Sequence, residues 1–148
     1  MVTFAVLAAA LALVGAPATT QVACLPVVTG AGDDAWTWYS DPPRIELGPK
    51  VCAGAIYLGA TPSQRVLLRT LNPTIDFTYD EGVAALLVLH EATHAGGNHD
   101  ETSTECRAFS LVADFLARYV SGVEYDDALS AAHLYDGTMP HIYHEREC

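Results

Sequence analysis

A long apolar run that ends in histidines constrains the fold of this chain more than any other feature. The run VAALLVLHEATHA, residues 83–95, is apolar up to position 89 and then places a glutamate between two histidines spaced four apart. Three apolar side chains share the helical face of those histidines: Val83, Leu86 and Leu87. That face turns toward the protein interior. The run predicts a buried helix, Glu81–Ala95, that begins after the N-cap Asp80 and ends at Gly96-Gly97.

The residues at the end of this helix have the spacing of a metal site. His90 and His94 stand one turn apart on one face, so both imidazoles can reach one cation at about 2.0–2.1 Å, as tetrahedral zinc requires. Glu91 lies beside that face, where it can take a proton from a zinc-bound water. The pattern HExxH therefore predicts zinc as the cofactor and Glu91 as the catalytic base.

Two acidic positions compete for the place of the third ligand. Asp100 fits the spacing HExxHxxGxxD, whereas Glu105 stands at the head of the apolar stripe of the next predicted helix. A carboxylate that points inward is costly unless a cation or hydrogen-bond donors satisfy it. Asp100 and Glu101 fall before or within the first turn of that helix, where acidic residues serve as caps. We predict that Glu105 joins His90 and His94 as the third ligand, with Asp100 as the alternative.

Most of the remaining chain has helical patterns. Caps and apolar periodicity predict three further helices, at residues 62–72, 102–121 and 126–136. Thr61 caps the first of them, which starts at Pro62, and Thr102-x-x-Glu105 forms a capping box at the second. Little of the sequence favours a sheet.

Two segments can form strands. AWTWYSDPP, residues 35–43, predicts a short edge strand, and Arg44–Gly59 offers two extended runs around Gly48-Pro49 that predict a small hairpin. The fold class is therefore mainly α (α+β). We expect a compact domain with the histidine helix, a following glutamate-bearing helix and at most a small β-hairpin.

The N-terminus has the features of an export signal. The apolar run Phe4–Val14 is too short to span a bilayer, and Ala16-Pro17-Ala18 supplies a small-x-small cleavage site. We predict a signal peptide at residues 1–18, with cleavage as late as 23. A single domain would follow over residues 24–148, with an irregular lead-in to about 43. Lipidation of Cys24 is the less favoured alternative, and only then would the chain be attached to a membrane.

Cysteines and charge narrow the compartment and the partners. An even count of four cysteines in an exported chain predicts two disulfides with three possible pairings among Cys24, Cys52, Cys106 and Cys148. Seven basic against 18 acidic residues, without a basic cluster, argue against nucleic acid and anionic membrane surfaces as partners. We expect a secreted monomer.

The motif and the residues after it resemble a known group of enzymes. His90-Glu91-x-x-His94 followed by Glu105-Cys106-x-Ala108-Phe109 resembles the minigluzincins, which are compact zinc peptidases of the zincin type. The stretch HEATHAGGNHDETSTECRA is also similar to exported HExxH proteins of actinobacteria and their phages. The similarity covers residues 83–115. It implies a zincin-like domain in which a glutamate on the helix after the HExxH helix completes the metal site.

The sequence therefore predicts a zinc-dependent metallopeptidase that hydrolyses peptide bonds in a peptide or protein substrate. Glu91 would act as general base on the zinc-bound water. Four side chains are candidates to stabilise the developing oxyanion: His133, Tyr135, His141 and Tyr143. The alternative is a secreted, disulfide-stapled binding protein with a structural or vestigial zinc site. Three protein ligands plus water favour the enzyme, and four protein ligands favour the binding protein.

Overall fold

The protein is mainly helical, with one small sheet, which confirms the predicted mainly α (α+β) class. The structure is a computed structural model that describes residues 2–30, 34–138 and 148. Its elements are α1 (Val2–Val14), β1 (Gln21–Cys24), β2 (Ala35–Trp38), β3 (Arg44–Leu47), α2 (Pro49–Leu58), α3 (Pro62–Leu71), α4 (Phe77–Ala95), α5 (Glu101–Leu116) and α6 (Gly122–Thr138).

Helix α4 forms the centre of the molecule and contains the HExxH motif. Every residue from Glu81 to Ala95 is buried, and α1, α2, α5, α6 and the sheet all pack against this helix. Two glycines allow neighbouring backbones to approach α4 closely. A Cβ atom at Gly54 would lie 2.1 Å from the carbonyl oxygen of Asp80, and one at Gly82 would lie 2.0 Å from that of Ala128. The histidines are thus carried by the most enclosed helix of the fold.

The ends of α4 agree only in part with the prediction. The C-terminal end at Ala95 is confirmed, and Gly97 leaves the helix with a φ of 99°. The start at Glu81 is wrong, because α4 begins at Phe77. Asp76 caps it by accepting a hydrogen bond from the Tyr79 amide at 3.1 Å. Helix α4 therefore has one more turn at its N-terminal end than the apolar pattern predicted.

The helices after α4 also differ from their predicted limits. Helix α5 begins at Glu101, because Asp100 is its cap and accepts from the Ser103 amide at 2.7 Å. The predicted capping box at Thr102 is therefore wrong, and α5 ends at Leu116 instead of near residue 121. The last helix is longer than predicted, since it starts at Gly122 and reaches residue 138.

The sheet has the order β1-β3-β2, with β1 parallel and β2 antiparallel to β3. Its inner face packs on α4 and consists of Ala35, Thr37, Ile45 and Leu47, all buried. Strand β2 is an edge strand, as predicted. The predicted hairpin around Gly48-Pro49 is wrong, because Pro49 starts helix α2 and β3 pairs with β2 instead. The sheet brings β2 over the histidine end of α4.

Helix α1 is packed into the core. Val6, Leu7, Ala10 and Leu11 are buried and belong to the same apolar cluster as α4. The assignment of residues 1–18 as a signal peptide stays a prediction. In the described part of the chain, no helix combines the length and the apolar character needed to cross a membrane.

Two disulfides confirm the predicted number and fix the pairing. Cys24 joins Cys52, which ties the end of β1 to α2, and Cys106 joins Cys148, which holds the start of α5. The bridged cysteines are 28 and 42 positions apart in the chain. Loops of this length correspond to about 4 kcal/mol of stabilisation each in the chain-entropy model. Both bridges fit an extracellular protein.

Candidate metal centre

The centre is built where α4 ends and α5 begins. Residues 96–100 turn the chain back, so that α5 runs antiparallel to α4 along its last turns. His94 then contacts Glu101, and His90, one turn earlier, contacts Glu105, one turn later. The two histidines and the two glutamates are each four residues apart and therefore share a face of their helix. The short turn and helical periodicity together bring all four side chains into one place.

Three atoms form a nearly equilateral triangle at this place. The Nε2 atoms of His90 and His94 are 3.1 Å apart, and Oε2 of Glu101 lies 3.2 Å from the first and 3.1 Å from the second. Ligands at about 2.0–2.1 Å from a tetrahedral zinc lie about 3.3 Å from one another. The sides of the triangle are close to this ligand–ligand distance. His90, His94 and Glu101 therefore form a group that could hold a metal ion.

The other ring nitrogens decide the protonation of this triangle. Nδ1 of His90 lies 2.6 Å from Oε2 of Glu105, and Nδ1 of His94 lies 2.7 Å from the carbonyl oxygen of Asn98. Both partners are acceptors, so in the neutral rings each Nδ1 carries the hydrogen and each Nε2 presents a lone pair. In the neutral rings two lone pairs and a carboxylate oxygen would face one another, an arrangement that requires a positive charge, supplied either by a proton on Nε2 or by a metal ion.

The electrostatics of His90 agree with that requirement. Burial lowers the pKa of this imidazole, but hydrogen bonds to the Glu101 and Glu105 carboxylates outweigh burial and raise the pKa to about 9. Conversely, the bond to His90 lowers the pKa of Glu101 against the effect of burial, so this carboxyl group stays ionised. The centre attracts a cation.

The predicted third ligands occupy other places. Glu105 is 2 % exposed and contacts His90 at Nδ1, the ring nitrogen that points away from the triangle. Asp100 is exposed and caps α5. The structure thus brings the two histidines together as expected and groups them with Glu101, while Glu105 orients one of them. The reason is the short turn, which places the first turn of α5 beside His94 and leaves Glu105 one turn further along.

Glu91 lies beside this group and is held by the sheet. Its side chain is buried, and the hydroxyl group of Thr37 donates to Oε2 at 2.6 Å. Burial raises the pKa of the Glu91 carboxyl, although the neighbouring His90 and the bond from Thr37 act in the opposite direction. Sequence reasoning missed Thr37, because no local pattern links two residues 54 positions apart.

Tyr39 forms the rim of the centre. Its phenol oxygen lies 3.0 Å from Nδ1 of His94, and its ring packs on His99 with centroids 4.0 Å apart. Burial, followed by the charges of Glu101 and Glu91, raises the pKa of this phenol, which therefore keeps its hydrogen. Neither Tyr39 nor His99 was among the site residues predicted from the sequence, because neither belongs to the HExxH pattern.

The four predicted oxyanion partners lie apart from this rim or outside the described residues. Tyr135 donates to Oδ2 of Asp34 at 2.5 Å. His133 is exposed and stacks on Phe109. His141 and Tyr143 belong to residues 139–147, which the structure does not describe. Of the two described candidates, Tyr135 is near enough for the charge of Glu105 to contribute to its raised pKa.

Comparison of the chain with protein-family models, with curated proteins and with solved structures gives no match. The chemistry assigned to the centre therefore rests on its own geometry.

Proposed function

We propose that this protein is an exported zinc-dependent metallopeptidase. The observation that carries the proposal is the triangle of His90, His94 and Glu101, whose Nε2 and Oε2 atoms lie 3.1–3.2 Å apart. Two imidazoles and one carboxylate are a ligand set typical of catalytic zinc. When bound there, zinc would lower the pKa of water in the fourth position to about 7 and polarise a substrate carbonyl.

Glu91 supplies the proton transfer in this proposal. Its carboxylate takes a proton from the attacking water and returns it to the leaving amine. The main chain places it one position after His90, and Thr37 occupies only one of its two oxygens. The other oxygen accepts from no donor in the described part of the chain, so it is available to water. Tyr39 contacts Nδ1 of His94, the ring nitrogen that points away from the triangle, so it supports this ligand from behind.

The sheet supports a peptide as the substrate. Strand β2 is an edge of the sheet among the described residues, and its end carries Tyr39 to the centre. An extended peptide can add to an exposed sheet edge through main-chain hydrogen bonds. Such a strand would pass beside Glu91, where a scissile carbonyl would have to lie.

Ligand number separates this proposal from a structural zinc site. A structural site takes four protein ligands, whereas a catalytic site takes three and leaves one position to water. Two side chains in the turn between α4 and α5 could in principle supply a fourth ligand, and both have other contacts within the described residues. Asp100 caps α5 and His99 packs on Tyr39. These contacts favour the three-ligand enzyme over the binding protein.

The test measures zinc affinity and hydrolysis of fluorescein-labelled casein by the purified full chain. We expect Glu101→Ala to lose both. Glu105→Ala should weaken zinc binding by about 10- to 100-fold, as is typical when the carboxylate behind a ligand histidine is removed. Asp100→Ala is the matched control: it should keep zinc and activity and lose about 1 kcal/mol of stability with the helix cap.

Two results would overturn the assignment. If Asp100→Ala lost zinc while Glu101→Ala kept it, the ligand set would be wrong. If zinc were held by four protein ligands and casein stayed intact, the centre would be structural.

A further inference from the structure

Thr37 is placed to act on Glu91 from a different element of the fold. It lies on the inner face of β2, is 3 % exposed, and its hydroxyl oxygen is 2.6 Å from Oε2 of Glu91 and 3.1 Å from the main-chain oxygen of the same residue. A hydroxyl group has one hydrogen to donate. The Thr37 hydroxyl therefore donates its hydrogen to Oε2 of Glu91, because hydrogen bonds to carboxylates are shorter and stronger than those to neutral oxygens.

The side chains of Thr37 and Glu91 differ in conformational freedom. Glutamate has three rotatable bonds, whereas threonine is branched at Cβ and stiff at χ1, and β2 is held by its ladder to β3. The hydrogen bond therefore transfers the rigidity of the sheet to the carboxylate. A misplacement of about 1 Å in a reacting group can cost about 100-fold in rate.

A second threonine–glutamate pair, between Thr29 in the loop after β1 and Glu46 on β3, shows what a purely structural contact looks like. The carboxylate of Glu46 accepts from the Thr29 amide at 2.8 Å and from the Thr29 hydroxyl, whose oxygen lies 2.6 and 2.8 Å from the two carboxylate oxygens, and Arg44 lies 3.3 Å from it. Both of its oxygens are engaged. Within the described residues the Glu91 carboxylate receives one donor on one oxygen, so the contact orients this group and leaves the other oxygen without a described donor.

We propose that Thr37 is a positioning residue for the hydrolysis: its hydroxyl group fixes Oε2 of Glu91, so that Oε1 is presented to the attacking water. This inference rests on the proposed peptidase function. It adds a contribution of the sheet to a reaction whose other groups come from α4 and α5.

The first test is kinetic and uses zinc-loaded full chains with labelled casein. Thr37→Val keeps the shape and removes the hydroxyl group, and we expect kcat to fall about 10- to 100-fold with KM and zinc affinity unchanged. Thr37→Ser restores the donor and should stay within about threefold of the wild type. Thr29→Val, which removes a hydroxyl–carboxylate bond to Glu46 on β3, should lower stability and leave kcat unchanged.

Two kinetic outcomes would overturn the proposal. One is a Thr37→Val enzyme with the kcat of the wild type. The other is equal impairment of Thr37→Ser and Thr37→Val, since packing and not the hydroxyl group would then matter. If Thr37→Val does not fold, Thr37→Ala supplies the same comparison, because it also lacks the donor.

The second test does not depend on turnover. Crystal structures of zinc-loaded wild type and Thr37→Val should show the Glu91 carboxylate displaced by about 1 Å or more, with the three zinc ligands in place. A carboxylate that stays in place refutes positioning whatever the activity. A displaced carboxylate in a chain whose wild type hydrolyses nothing refutes the peptidase and leaves the positioning role intact.

Discussion

Two threonine–glutamate pairs lie on opposite faces of one small sheet and differ in what their carboxylates can do. Glu46 lies on the outer face, where burial would raise its pKa, but donors from Thr29 and Trp38 and the charge of Arg44 hold the pKa below its usual range. Glu91 faces the inner side, where Thr37 is its one donor among the described residues, and burial raises its pKa. The same pair of residue types therefore gives a fully satisfied ion on one face and a partly satisfied one on the other.

The difference teaches how a structural carboxylate can be told from a reactive one. A buried carboxylate is stabilised when donors engage both oxygens, and such a group has nothing left to offer to a substrate. Glu91 therefore differs from Glu46 in two ways: one of its oxygens has no donor among the described residues, and it lies beside a group that could hold a metal ion.

The largest expected effect is on catalysis and applies to one face only. Glu91→Gln should lower kcat for casein by about 10²–10⁴-fold, because loss of a general base typically costs that much, while zinc stays bound. Glu46→Gln is the matched control and should keep kcat while it lowers the midpoint of urea unfolding. Equal activity of Glu91→Gln and the wild type would break the comparison.

Removal of the metal should destabilise the protein around Glu91, and the expected change in free energy is smaller than the effect of Glu91→Gln on catalysis. At free zinc 100-fold above its Kd, binding adds about 2.7 kcal/mol to stability, which a chelator removes. Hydrogen exchange should then speed up at the end of α4 and the start of α5, and stay unchanged around Thr29 and Glu46. Equal acceleration on both faces of the sheet would mean that the metal stabilises the whole fold and not the centre in particular.

The smallest expected effect concerns acid stability and belongs to the outer face. Glu46 has its pKa lowered on folding from an ordinary value of 4.5. Its ionised form therefore stabilises the fold above that value, and this contribution is lost as the pH falls from about 4.5 through the folded pKa. Urea midpoints measured from pH 6 to pH 3 should fall less steeply for Glu46→Gln than for the wild type. Parallel curves would show that the outer pair contributes nothing.

Local patterns predicted the parts of the centre that one helix contains. The apolar face of α4 turned His90 and His94 inward, and Gly96-Gly97 ended the helix as expected. The start of α4 and the limits of α5 and α6 were missed, because several residues could serve as caps and only one choice was compatible with packing. The stretch after Pro49 is helical and packs closely against α4 through Gly54, a contact between segments that no local pattern predicts.

The sequence by itself determined the chemistry that is available: two inward histidines one turn apart, a glutamate between them, several acidic residues just beyond, and an even number of cysteines. Those features follow from helical periodicity and composition, which depend on neighbours in the chain. The tertiary structure alone decided that Glu101 faces the two Nε2 atoms, that Glu105 supports His90 from behind, and that Thr37 reaches Glu91. Each of these choices depends on how α5 and β2 dock on α4, and packing between elements distant in sequence is not encoded in any local pattern.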